Sequence, residues 1–164
     1  MNRQRQALLD RLEASGEEFA WYLSHLSTED VHAAPAPNEW SLHQAAAHVR
    51  DCEDHVFLRR IELVLYAEHP AVQNFDQDEY WKTHPYASSE ALKDIVADFR
   101  KARRKMLKLL RNAPESAWKN WAHHSAYGRI SLEWLVLHCY HHTLEHIAQM
   151  GYAREKGLLK KLND

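Results

Sequence analysis

Glycine and proline are scarce in this chain, at four and five of its 164 residues. So few breakers predict long helices joined by a few loops. Only two cysteines are present, Cys52 and Cys139, which excludes a disulfide framework. There is no run of about 18 apolar residues, so no transmembrane helix is expected. The opening residues, Met1 to Gln6, pass straight into an amphipathic pattern without a signal-peptide apolar core. A cytoplasmic protein with no membrane partner is therefore the expectation. Net charge is also small, formally −2, and 45% of residues are apolar. That is an ordinary globular composition, and residues 1–164 are expected to form one domain. Histidine is what the chain has in excess, with thirteen.

The histidines concentrate in Leu137–Met150, a stretch free of Gly and Pro. His142 and His146 stand four apart, which on a helix brings their Cβ atoms within roughly 6 Å on one face. Two imidazoles so placed can share one metal ion at Zn–N distances of about 2.0–2.1 Å. His138 lies one turn earlier and about 12 Å from His146 along the axis, so one ion cannot take all three. Helical angles choose between them. With His142 at zero and about 100° per residue, Leu132, Leu135, Val136, Tyr140, Ile147 and Met150 fall on one side. His146 sits at the edge of that arc, and His138 turns away from it. An i,i+4 pair is also what an amphipathic helix with a polar edge would show. A metal site needs a third ligand from elsewhere.

Four long amphipathic segments are expected, from about residue 2 to 26, 41 to 67, 89 to 112, and from Ser131 to before Gly157. The first carries Leu8, Leu12, Phe19, Leu23 and Leu26 at helical spacing, with Gly16 as a weak point. Ser27 to Asp30 read as a short turn, and Pro35-Ala36-Pro37 as an extended link. Ser41 and Gln44 match a capping box that opens the second helix, which should stop before Pro70. With His48 at zero, Leu42, Ala45, Val49, Cys52, Val56 and Leu63 fill one arc. His48 lies at its rim, and Glu53 falls among the apolar positions. Glu53 reads as a core-edge partner of an arginine such as Arg60, or as a carboxylate supporting a site. Residues 68–88 form a long aromatic connection, with a short helix around Asp76–Lys82, of a length often used to cover a site. No segment alternates convincingly with period two, so no sheet is expected. The fold class is all-α, a four-helix bundle. With neighbouring axes about 8–10 Å apart, His48 can face His142 and His146.

The basic run from Arg100 to Arg111 reads as a solvated helix face, partly balanced by Glu90, Asp94 and Asp98. With a slightly negative net charge, no nucleic-acid partner is expected. Cys52 and Cys139 lie near the histidines in sequence but deeper in the apolar arcs, where a free cysteine behaves as a small hydrophobe. A closed Cys/His site would instead mean structural metal.

Two motifs, in order and in helices of suitable length, resemble the DinB-like superfamily of four-helix bundles. Trp40-Ser41-Leu42-His43-Gln44-Ala45-Ala46-Ala47-His48 resembles the family's opening of the second helix, which ends in a metal histidine. His138 to Met150 resembles its fourth-helix His-x-x-x-His motif, followed here by Gln149. The resemblance covers most of the chain. It implies a metal site at His48, His142 and His146, holding a divalent ion such as zinc, nickel or iron. Family members include thiol S-transferases and a mycothiol-dependent isomerase, so a low-molecular-weight thiol is an implied cosubstrate. A small-molecule substrate and a homodimer are implied in the same way. The function so implied is a metal-dependent enzyme that activates a thiol or a water, of transferase or hydrolase type. The alternative is a metal-binding protein without turnover.

Overall fold

The computed structural model describes residues 2–32, 34, 36 and 38–163. The first long helix, α1 (Arg3–Ser24), is capped by the Asn2 side chain, which accepts from Arg5 N at 2.9 Å. A short α2 (Thr28–His32) follows where a turn was expected. Two of the three residues of the proline link, Pro35 and Pro37, lie outside the described residues.

The second long helix opens with the capping box read from Ser41 and Gln44. Ser41 Oγ accepts from Gln44 N at 3.2 Å, and Gln44 Oε1 accepts from Ser41 N at 3.0 Å. The helix continues unbroken but not uniformly. It is α-helical as α3 (Leu42–Asp51), π-helical over Cys52–Leu58, and α-helical again as α4 (Arg59–Tyr66). The wider π turn buries Cys52, Glu53, Val56, Phe57 and Leu58 together, more than one stripe of an α-helix presents. π turns of this kind recur near functional sites.

The connection contains β1 (Ala71–Val72) and α5 (Gln77–Thr83). Asp76 caps α5 by accepting from Asp78 N and Glu79 N. The third long helix, α6 (Leu92–Asn112), starts three residues later than expected. Glu90 is occupied: its carboxylate takes Arg50, and its carbonyl oxygen lies 2.8 Å from His43 Nε2. These contacts tie the chain down just ahead of the helix. A 3₁₀ turn (Glu115–Lys119) leads to β2 (Trp121–His124) and β3 (Gly128–Ser131). Ser131 Oγ then caps the fourth long helix, α7 (Leu132–Asn163), by accepting from Trp134 N at 3.1 Å. α7 runs past Gly157, where it was expected to stop. A glycine inside a helix costs only about 1 kcal/mol relative to alanine.

A small sheet is present, contrary to the sequence expectation. Its order is β1-β2-β3, with β1 parallel and β3 antiparallel to β2. The strands are two and four residues long, too short to register as a period. In β2 the inward residues are Ala122 and His124, so the alternation is not one of hydrophobicity. Gly128 turns the hairpin with φ +69°, a conformation that suits glycine.

The bundle core is in two parts. One gathers Phe19, Ala46, Val49, Ile95, Phe99 and Met150. The other gathers Leu9, Leu12, Ile61, Leu107, Leu110 and Leu135 with Ala122 and Ile130 of the sheet. A buried polar group, Ser15, Glu53, Arg103 and Thr143, is joined through Arg103. Arg103 is 4% exposed and Glu53 1%. The guanidinium pairs with both Glu53 oxygens, donates to Leu12 O, and reaches Thr143 Oγ1 at 2.9 Å. Glu53 is therefore paired with Arg103 and not with Arg60. One member of the basic run read as a solvated face is buried. Gly16 explains how: a Cβ there would lie 3.2 Å from Arg103 Nη1, so the weak point of α1 is where the guanidinium passes.

Candidate metal centre

His48 on α3 faces α7, where His142 and His146 sit one turn apart. Their ring centroids are 5.2 Å (His48–His142), 4.9 Å (His48–His146) and 4.6 Å (His142–His146) apart. One nitrogen from each lies within 4.8 Å of the others. His48 Nε2 and His142 Nε2 are 3.2 Å apart. Two nitrogens bound tetrahedrally to one ion at about 2.0–2.1 Å would stand about 3.3 Å apart.

Hydrogen bonds on the far side of two rings set which nitrogen keeps its lone pair. His48 Nδ1 lies 2.6 Å from Gln77 Oε1. An amide oxygen only accepts, so Nδ1 carries the proton and Nε2 offers a lone pair to the cluster. The Gln77 amide has its own orientation fixed, because its nitrogen donates to Asp51 Oδ2 at 3.3 Å. Asp51 also accepts from Trp81 Nε1 at 3.0 Å and Arg50 Nε at 2.7 Å. On α7, His146 Nδ1 lies 2.8 Å from Gln149 Oε1. Gln149 therefore orients His146, where sequence alone equally permitted packing or tethering a loop.

Burial keeps these imidazoles neutral. It pushes His142 down to about 2, with neighbouring His146 and His48 adding to the effect. His146 falls to about 4, again chiefly through burial. His48 is lowered by burial, with the Gln77 bond and Asp51 opposing. Neutral rings with converging lone pairs are what a divalent cation requires. Without one, the lone pairs on Nε2 of His48 and His142 face each other at 3.2 Å unless His142 carries its proton there. The donor set thus fits a metal ion.

Of the other sequence candidates, His138 is outside the cluster, its ring stacked on Trp134 at 4.7 Å. Cys52 Sγ is 3.7 Å from His48 Nε2, but burial pushes its thiol up to about 12. Cys139 faces the buried polar group instead, 3.6 Å from Glu53 Oε2, and burial raises its thiol well above the ordinary range. Glu53 is committed to Arg103. Sequence reasoning missed Gln77 and Asp51. The long connection did suggest a cover, but one amide in an aromatic loop carries no periodic signal.

A four-helix bundle with three converging histidines on its second and fourth helices defines the class of protein. The sequence profile of the DinB superfamily matches residues 11–150, and the chain belongs to that superfamily. Among solved structures it is similar to YfiT from Bacillus subtilis, with a TM-score of 0.78 at 18% identity, covering 96% of this chain and 90% of that one. It is also similar to TT2238, a four-helix bundle protein, with a TM-score of 0.63 at 18% identity over 90% and 98% of the two chains. YjoA, a DinB-like protein from Bacillus subtilis, matches with a TM-score of 0.63 at 12% identity over 92% of each chain. These likenesses establish the fold. No curated protein matches the sequence significantly. Among the described residues, no helix is long and apolar enough to cross a membrane.

Proposed function

We propose that the chain is a metal-dependent enzyme in which His48, His142 and His146 hold one divalent ion. The observation that carries this reading is the convergence of three imidazole nitrogens within 4.8 Å, with the His48 tautomer set by Gln77. YfiT, whose fold it shares, is described as a probable metal-dependent hydrolase. Three protein ligands leave a coordination position open, the catalytic rather than the closed structural pattern. When bound, the ion supplies Lewis-acid activation of a water or a thiol at neutral pH. Hydrolysis and thiol transfer to an electrophile are the two reactions this permits.

The chain's own contribution is positioning. Asp51 polarises Gln77, and Gln77 holds the Nδ1 proton of His48, which strengthens Nε2 as a donor. The rings of Trp40, 4.9 Å from His48, and Phe57, 5.2 Å from His142, wall the cluster with apolar surface.

Native mass spectrometry of tag-free protein with zinc tests the reading. One ion per chain is expected, retained in His138→Ala and largely lost in His142→Ala. Equal loss from both substitutions would overturn the ligand assignment. Cys52→Ala should keep the ion; if it does not, a cysteine closes the site and structural metal becomes the better reading.

A further inference from the structure

We propose that Arg60, His124 and His138 form a subsite for a small oxyanion, a carboxylate or a phosphate monoester, carried by the substrate of the three-histidine centre. That the occupant is the substrate rests on the metal-centre reading; the anion site itself does not.

The starting point is an unsatisfied donor. His124 is 1% exposed and faces inward from β2, as Ala122 does. Its Nδ1 accepts from Ala126 N at 3.0 Å and from Tyr127 N at 3.4 Å. Nδ1 therefore holds a lone pair, and the neutral ring carries its proton on Nε2. Nε2 is buried and has no hydrogen-bond partner among the described residues. A buried donor left unpaired costs about 1–3 kcal/mol, and such groups call for an explanation.

A cation stands beside it. Arg60 bonds to the residue that follows Val72, the partner of His124 across the sheet, and after burial its charge helps to hold His124 down. Arg60 is half-buried, and its guanidinium donates to Gln73 O at 2.6 Å. No carboxylate pairs with it among the described residues. His138 makes no hydrogen bond there either. Glu145, the acid that acts on His138, is exposed on α7 and joins no ion pair among the described residues. Burial holds His138 neutral near pH 7, so the unpaired charge here is that of Arg60, in a chain of net charge −2.

The place is contiguous with the metal centre. His138 is one turn from His142, about 6 Å along α7. The Phe57 ring touches both, at 5.7 Å and 5.2 Å between centroids. Arg60 lies about two turns beyond Cys52 on the same continuous helix, and Cys52 Sγ is 3.7 Å from His48 Nε2. The Tyr127 ring packs on His124 at 4.7 Å and meets His138 at 6.3 Å. Tyr127 is 58% exposed and is the side chain that yields to admit an anion. A guanidinium with free N–H groups beside an imidazole N–H suits an oxyanion, because charge-assisted bonds are the strong ones. A substrate held by its anionic end here presents its other end to the three histidines.

The test follows the His124 Nε2–H signal by ¹H–¹⁵N NMR in ¹⁵N-histidine-labelled, metal-free protein. Sodium acetate and inorganic phosphate are titrated separately at constant ionic strength, and acetate again with zinc-loaded protein. A saturable shift is expected, weakened at least tenfold in Arg60→Gln and unchanged in Arg100→Gln, whose arginine is an exposed partner of Glu17. The tighter of the two probes identifies carboxylate or phosphate. If Arg60→Gln fails to fold by circular dichroism, His138→Gln is read instead and should weaken binding several-fold. A shift that does not saturate, or one equal in the variant, overturns the subsite. So does a long-lived water seen on His124 with no response to either anion. Zinc stoichiometry on the same samples separates the two readings: zinc bound without an anion response sinks the subsite alone, and anion binding without zinc sinks the metal centre.

Discussion

Gln77 Oε1 sits 2.6 Å from His48 Nδ1, while the Gln77 nitrogen is held by Asp51. The amide comes from α5, in the connection between the second and third long helices, so the connection reaches into the site it borders. Asp51 is one turn beyond His48 on the same helix. The two ends of the relay are thus fixed by α3, and the middle is supplied from elsewhere.

Gln77→Leu removes the acceptor from His48 while keeping side-chain bulk. Support of this kind is typically worth about 10–100-fold in metal affinity. Calorimetric titration with zinc should show a loss of that size. An unchanged affinity would mean that Gln77 does nothing for His48.

Acid should destabilise the metal-free protein through its buried histidines. Unfolded histidines titrate near 6.5, whereas burial lowers His142 to about 2 and His146 to about 4 in the fold. Below about pH 6.5 the unfolded state therefore binds more protons, and stability falls as pH falls. The contribution is fully present above that pH. It declines by up to about 1.4 kcal/mol per pH unit for each group. Urea denaturation at pH 7 and pH 5 should show the drop. His142→Gln should flatten it without abolishing it, since His48, His124 and His138 are lowered too. Equal slopes in the two proteins would contradict this account.

Glu53 and Arg103 should behave as a unit. Glu53→Ala leaves a buried guanidinium without its carboxylate, and breaking such a pair costs about 3–5 kcal/mol. Replacing both together, Glu53→Leu with Arg103→Met, should cost clearly less than Glu53→Ala alone, because no charge is stranded. A double variant as unstable as the single would show that the pair is held by packing rather than by charge.

The capping box at Ser41, the cap at Ser131 and the four apolar stripes were legible because each is a local pattern. Helix periodicity alone placed His48, His142 and His146 at the rims of core-facing arcs. Local patterns also limited what could be read. Two-residue β1 is shorter than one period of any signal, and β2 puts a histidine inside. Arg103 looks like any member of a basic run. Only packing shows that α1 carries a glycine where the guanidinium passes and that the second helix brings Glu53 to meet it.

What the sequence determined by itself was the set of four helices, their faces, and which histidines share a face. Those follow from propensity, capping and a repeat near 3.6 residues, all short-range physics. Tertiary structure alone decided that Glu53 pairs with Arg103, that Gln77 selects the His48 tautomer, and that His124 is buried with a free donor. Each of these joins residues 29 or more positions apart, or depends on what a neighbouring element leaves unpaired. Such contacts are set by the docking of whole elements, which no local pattern encodes.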